Sequence, residues 1–362
     1  MAIACMGLFL AGCNNESHLF VGGYTKPGAK GMSVLEFNNR NGNLKMVSQS
    51  DVGPNPSYFC YSEKRRLAYV LNEVMEFNGV SGGGLSTFSF DEKGGTFEKK
   101  NELLIPYGGP CFISISPDSG FLFVASYPNG SVSVVKLDGN GLPEVVTDTI
   151  LFSKNAPDKS HAHMMKADPS GKKIYVTDLG LDRITVYDFN KTTGKLTLAE
   201  TGTIDLPKGS GPRHFEFNSD GTKLYLINEL GKTIMVFNND EKKGLHLVQT
   251  LSTVRKDFTG DNYCADLHVG KDGRFLYGSN RGENTIVTFR IENDGSLSLA
   301  GHSSCGGDWP RNFTLDPSGK YIIVGNQKSD TISVFKLDKK TGLPVEPANQ
   351  FPIVTPACLK FI

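Results

Sequence analysis

One turn signal recurs along this chain, and each copy is followed by a short apolar run. It reads Ser116-Pro117-Asp118-Ser119-Gly120, Asp168-Pro169-Ser170-Gly171, Asn218-Ser219-Asp220-Gly221, Lys271-Asp272-Gly273 and Asp316-Pro317-Ser318-Gly319. The turn glycines stand 51, 50, 52 and 46 residues apart, and Arg65 holds the same place in an earlier, degenerate copy. Within one copy, His214–Phe217, Lys223–Ile227, Thr233–Phe237 and Leu245–Val248 are apolar or alternating runs rich in β-branched and aromatic residues. Gly-, Asn-, Asp- and Lys-rich connectors separate them, which is the punctuation of short antiparallel strands. Four strands repeated at about fifty residues make a propeller blade rather than a helical solenoid.

The ends complete the count. Leu19–Gly22, Met32–Phe37 and Leu44–Val47 read as the second, third and fourth strands of a blade that lacks its first. Pro356–Phe361 aligns with Pro212–Phe217 and supplies it from the other terminus. The reading is therefore all-β: a seven-bladed β-propeller over residues 18–362, with one blade closed by strands from both termini. Such closure leaves no free sheet edge. The 41 glycines fit the many tight turns this needs.

Residues 1–17 read differently. A nearly uncharged apolar run ends in Leu10-Ala11-Gly12-Cys13 and gives way to polar Asn14-Asn15-Glu16-Ser17. It has the late part of a secretory signal but no basic n-region, so a start upstream of Met1 is expected. Leu-Ala-Gly-Cys resembles the bacterial lipobox, which implies lipid on Cys13 and a place in the cell envelope or periplasm. The cytoplasm is the alternative, with a hydrophobic first strand that happens to contain Cys. The run is too short to span a bilayer, so any membrane contact goes through the lipid anchor. The remaining cysteines, Cys60, Cys111, Cys264, Cys305 and Cys358, are odd in number and lack C-x-x-C spacing. They read as isolated buried thiols, without zinc. Equal numbers of acidic and basic residues, 38 each, give no stripe for nucleic acid.

Propeller geometry points to where chemistry gathers. The first strand of a blade lines the central channel, and the second returns from the turn. Positions eight before and eight after the turn glycine therefore lie at one channel mouth. Eight before stand Ser57, Phe112, His163, Arg213, Ala265 and Arg311; eight after stand Glu73, Pro128, Leu179, Glu229, Arg281 and Gln327. A repeat keeps similar residues at equivalent positions, so this divergence into His, Arg and Glu marks a polar site on a repetitive scaffold. His161, Asp178, His214, Asp266, His268, Asn280 and Asn312 are adjacent candidates. Plainer readings stand beside these. Arg213 and Arg281 are ion-pair partners of Glu229 or Asp178, His161 is a solvent-exposed loop residue, His163 is a hydrogen-bonded channel histidine, and Glu73 is a rim carboxylate.

The aligned repeats resemble the seven-bladed lactonase family, which holds the propeller-type 6-phosphogluconolactonases and, more distantly, fungal carboxy-muconate cyclases. The likeness rests on Leu19–Thr25, His161-Ala162-His163, Gly211–Phe215, Asn228-Glu229-Leu230, Ala265–His268, Ser279–Gly282 and Pro310–Phe313. It implies a catalytic set of His163, Arg213, Glu229 and Arg281. Glu73, His161, Asp178, His214, Asp266, His268 and Arg311 are then expected to bind substrate. The expected substrate is a small anionic lactone or sugar phosphate, opened without cofactor or metal. The alternatives are a lactonising or cycloisomerase enzyme for dicarboxylates, and a non-catalytic envelope propeller that binds a ligand. A metal-dependent sugar lactonase would need a chelating set, which Glu73, Asn228 and Asn280 imitate.

Overall fold

The computed structural model describes residues 16–29, 31–154 and 159–362. These form seven four-stranded antiparallel sheets around one channel, plus a two-stranded hairpin, Glu76–Phe77 with Val80–Ser81, on the second blade. The first blade runs outward from Pro356–Phe361 through Glu16–Gly23 and Met32–Asn38 to Leu44–Ser50. The closing pair is in register, Leu19 opposite Phe361 and Val21 opposite Leu359, so the C-terminal strand completes the N-terminal blade. The strand starts slightly earlier than the expected boundary, since Glu16 pairs with Asn38 and Ser17 with Phe37. Cys13 lies outside the described residues.

The burial pattern explains the sequence pattern. Second strands such as Leu67–Asn72, Phe121–Ser126 and Tyr321–Asn326 are buried at every residue, because neighbouring blades cover both faces. They therefore read as continuous apolar runs. Outer strands such as Leu44–Ser50 alternate, with one face to water. The core is interblade. Leu19, Val21, Leu35 and Phe37 of the first blade pack against Tyr321, Ile323, Ile332 and Val334 of the last. Each fully buried large side chain contributes about 1.5–3 kcal/mol. Gly22 and Gly23 let the ring close, since a Cβ at either would stand 2.3 Å from the carbonyl oxygen of Pro56 or Thr355. The five remaining cysteines are buried free thiols, four in strands and Cys305 just beyond one.

A second repeat becomes visible only in three dimensions. Asn72, Asn228 and Asn326 end their second strands and Asn280 stands one residue before the end of its own, all fully buried. Each amide donates to a loop carbonyl or a third-strand hydroxyl, as Asn280 does to Thr253 at 2.7 Å and Asn228 to Thr233 at 3.0 Å. Asn228 and Asn280 are thus blade ties.

Candidate active site

The innermost strands of five blades break register at the same level. The bulges fall between Pro110 and Phe112, Ala162 and Met164, Pro212 and His214, Cys264 and Leu267, and Pro310 and Asn312. A bulge leaves one residue unpaired and re-aims its side chain. The residues so released include Cys111, His163, Arg213 and Arg311, and these line one small cavity with Ser57, Tyr58, His214, Asn312 and Ala357.

The position in the third blade differs from the sequence expectation. Gly171, Gly221, Gly273 and Gly319 hold the left-handed turn position, but in Ser116–Gly120 it is Ser119, with φ 59°. Ser119 donates its N–H to Ser116 O just as Gly171 does to Asp168 O. Counting from Ser119 rather than Gly120 shifts both partners by one, so Cys111 replaces Phe112 and Tyr127 replaces Pro128. The available signal was the glycine, which follows Pro117 by three residues but follows Pro169 and Pro317 by two. In the degenerate copy the left-handed residue is likewise Arg66, not Arg65.

The mouth is organised by two carboxylates. Glu229 Oε2 accepts from Arg213 Nε at 2.9 Å and from Arg281 Nη2 at 2.7 Å. Arg213 also donates to the Ala265 carbonyl, and Arg281 donates Nε to Tyr263 O at 3.0 Å. Glu73 Oε2 accepts from Tyr24 Oη at 2.8 Å and from Ser57 Oγ, and Tyr24 Oη in turn accepts from Arg311 Nη2 at 2.7 Å. Burial, then the field of Arg213, lowers the pKa of Arg281 to about 10, while Arg311 is held above its ordinary value by Tyr24 and Glu73 against burial. Both arginines of the Glu229 cluster are ion-paired, as the plainer reading had it, though neither pairs with Asp178.

His163 is 5% exposed, and its Nδ1 is buried with no hydrogen-bond partner. Burial and the Arg213 guanidinium push its pKa well below the ordinary imidazole value, so it is neutral near pH 7. Glu229 is engaged by the two arginines. His214 lies edge-on to it, ring centroids 5.2 Å apart, and is fully bonded. Its Nε2 sits 3.3 Å from Arg213 Nη1 and its Nδ1 2.8 Å from Asp266 Oδ1. Arginine only donates, so Nε2 accepts and Nδ1–H donates to Asp266. Burial and Arg213 lower the pKa of His214 to about 4.

Asp266 and His268 fall deeper in the channel. Asp266 Oδ2 takes His268 Nε2 at 3.1 Å and also Asn312 Nδ2. His268 reaches Glu216 at 3.6 Å through Nδ1. Burial disfavours its charge, but Asp266 and Glu216 outweigh this and raise its pKa to about 9. The same imidazolium and His214 hold Asp266 well below the usual carboxylate range despite burial. Asp178 is not at the cavity. It accepts from Ser160 Oγ and from the backbone N–H of His161, Gly180 and Leu181, so it shapes the loop behind His161. His161 is half-buried rather than a free loop residue; its ring stacks on Tyr127 at 4.5 Å, and its Nδ1 lies 3.1 Å from Tyr127 O.

Sequence reading gave no role to Tyr24, Tyr127, Cys111 or Trp309, which all stand at this mouth. Cys111 and Tyr127 escaped because the count slips by one in their blade, and Tyr24 and Trp309 lie outside the eight-residue register.

The family model described as lactonase, 7-bladed beta-propeller, matches residues 18–361. The chain belongs to the seven-bladed β-propeller lactonase family. A 6-phosphogluconolactonase of Formosa agariphila is 32% identical over 90% of this chain and 93% of its own length. One from Bacillus subtilis is 27% identical over 95% of this chain and 97% of its own. The periplasmic gluconolactonase of Pseudomonas aeruginosa superposes with a TM-score of 0.90 at 30% identity, covering 96% of this chain and 99% of that one. The channel-mouth cluster therefore sits on a lactonase propeller along its whole length.

Proposed function

We propose that this lactonase-family chain hydrolyses a gluconolactone-type sugar lactone at the mouth built from His163, Arg213, Glu229 and Arg281. One observation carries the reading. A neutral, buried imidazole with an unpartnered nitrogen lies beside guanidinium groups that a single carboxylate fixes in place. That arrangement offers a proton acceptor and preformed positive charge in a site shielded from bulk water.

In the reaction, His163 takes a proton from water as the water oxygen bonds to the lactone carbonyl carbon. Arg213 faces the charge that develops on the carbonyl oxygen. Collapse of the tetrahedral species breaks the ring C–O bond, and His163 returns the proton to the departing ring oxygen. The sum is addition of one water to give a hydroxy acid, with no change in oxidation state. His163 is a weak base in the empty site because Arg213 opposes its protonation. A bound anion offsets that field and raises its basicity, so anionic substrates assist their own hydrolysis. Glu229 keeps the arginines oriented. Glu73, with Tyr24, positions Arg311 on the opposite wall, where a substrate carboxylate or phosphate is also within its charge field.

The test is hydrolysis of glucono-δ-lactone and its 6-phosphate by purified protein, with ring closure of an unsaturated dicarboxylic acid followed in parallel. Ring opening lost in both His163→Ala and Arg213→Ala supports the reading. Full activity in both variants, or ring closure alone, overturns it. Envelope placement belongs to the same proposal: a diacylglyceryl group on Cys13, detected by mass spectrometry of the membrane fraction, supports it, and an intact unlipidated N-terminal segment in the soluble fraction opposes it.

A further inference from the structure

Five of the blade loops enter the mouth with the same hydrogen bond. Glu73 N–H donates to Asn55 O, Tyr127 to Gly109 O, Leu179 to His161 O, Glu229 to Gly211 O and Gln327 to Trp309 O. Four of these acceptors, Asn55, Gly109, Gly211 and Trp309, have positive φ, 45°, 58°, 61° and 66°. Glycine suits that conformation and asparagine tolerates it, whereas Trp309 places a bulky side chain in the left-handed region, at a cost of about 1–3 kcal/mol. Trp309 is also the only tryptophan in the chain. Strain of this kind persists where the surroundings enforce it, and it concentrates at ligand-binding positions.

The surroundings of Trp309 are cationic. Lys328 Nζ lies 3.1 Å from the ring centroid and the Arg281 guanidinium carbon 5.3 Å from it. Tyr263, partly exposed, packs at 5.9 Å. Lys328 is exposed and forms no ion pair within 4 Å among the described residues; the nearby Asp308 carboxylate is turned to Asn284 Nδ2 at 2.8 Å. Arg281 directs Nε and Nη2 to Tyr263, Cys264 and Glu229, with Nη1 outside these bonds. At the mouth Arg213, Arg281, Arg311 and Lys328 stand against Glu73, Glu229 and Asp308, a surplus of one positive charge with His163 and His214 neutral. A phosphate monoester carries about −1.5 to −2 near pH 7. Lys328 resting on an indole face is a cation held without a carboxylate, so an incoming anion displaces no ion pair.

We infer that Trp309, Lys328 and Arg281 form a subsite for the phosphate monoester of a phosphorylated lactone, with Trp309 as the platform that aims the two cations. This rests on the lactonase reading for its substrate but not for its binding chemistry.

Two measurements test it. The first is the ratio of kcat/KM for 6-phosphogluconolactone to that for glucono-δ-lactone, in the wild type, Lys328→Ala and Trp309→Gly. Loss of one charge-assisted contact lowers that ratio on the order of 10- to 100-fold in Lys328→Ala. Trp309→Gly supplies the residue type that Gly109 and Gly211 provide at this left-handed position in two other blades, so it retains or raises the melting temperature while lowering the same ratio. The second is tryptophan fluorescence, in which Trp309 is the sole indole reporter, titrated with inorganic phosphate and with 6-phosphogluconate. Saturable change in the wild type that is weakened at least tenfold in Lys328→Ala supports the subsite. An unchanged substrate ratio in both variants, or a fluorescence response that ignores both ligands, overturns it. If the wild type opens neither lactone yet the Lys328-dependent titration is present, the subsite stands and the lactonase reading falls. If it opens glucono-δ-lactone and neither binds nor opens the phosphorylated form, the lactonase reading stands and the subsite falls.

Discussion

Two buried histidines, 5.2 Å apart on neighbouring inner strands, divide the channel into two chemically different regions. His214 belongs to the interior, where it is one member of a bonded line of side chains. Asp266 holds its Nδ1, Arg213 meets its Nε2, and the line continues through His268 to Glu216. His163 belongs to the mouth, where one of its nitrogens has no partner. The two rings share burial, neutrality and the influence of Arg213. They differ in satisfaction. A saturated network fixes structure, whereas an unsatisfied buried donor or acceptor is a standing interaction for a ligand or reactant.

The contrast breaks down if both histidines do the same job, and substitutions rank the ways to find out. His163→Ala is expected to lower kcat about 10²- to 10⁴-fold, the range for general acid–base groups, with the circular dichroism spectrum and melting curve retained. Arg213→Ala is expected to lower it by about 10²- to 10³-fold, as removal of an oxyanion-facing donor does. Asp266→Ala leaves His268 and His214 without their shared acceptor. It is expected to cost about 3–5 kcal/mol in urea unfolding, more than His163→Ala. A stability loss in His163→Ala matching that of Asp266→Ala would erase the distinction between the regions.

Titration sharpens the same contrast. The His268 pKa is raised from 6.5 to about 9 in the fold. Its contribution to stability is thus full below pH 6.5 and disappears as pH rises through 9. The His214 pKa is lowered to about 4, so its contribution is full above pH 6.5 and is lost as pH falls toward 4. Unfolding free energy measured across pH 4–10 is expected to show both slopes, and His268→Gln to remove the alkaline one. At the mouth, the depressed pKa of His163 puts the acid limb of kcat/KM below pH 6.5. An acid limb above pH 7 contradicts His163 as the base. The smallest effect belongs to His161→Ala, which removes one partly buried stack on Tyr127 and is expected to change kcat/KM less than tenfold.

Much of the scaffold was legible because the turn chemistry repeats. Asp168-Pro169-Ser170-Gly171 and its copies mark hairpins by requirement, since a left-handed turn residue recurs at the same step of each blade. The register from those turns reached His163, Arg213, Glu229, Arg281 and Arg311 directly. It failed at Ser116–Gly120, where a serine holds the left-handed position and the count slips by one, hiding Cys111 and Tyr127. It also misjudged Asp178, whose carboxylate serves its own loop, and it gave no function to Trp309, which carries no periodic signature.

The sequence by itself determined the ring: seven blades, their order, and closure by the C-terminal strand, because strand periodicity and turn residues are local properties. It also determined which blades carry charge at the mouth. Only the tertiary structure decided how those charges pair. Arg213 and Arg281 share one Glu229 oxygen from adjacent blades, and Arg311 reaches Glu73 through Tyr24 across the terminal closure. Those partners lie far apart in the chain, and a bulge of one residue sets where each side chain points. Pairing, burial and the resulting proton affinities are distance-dependent, so they emerge only when the blades are in place.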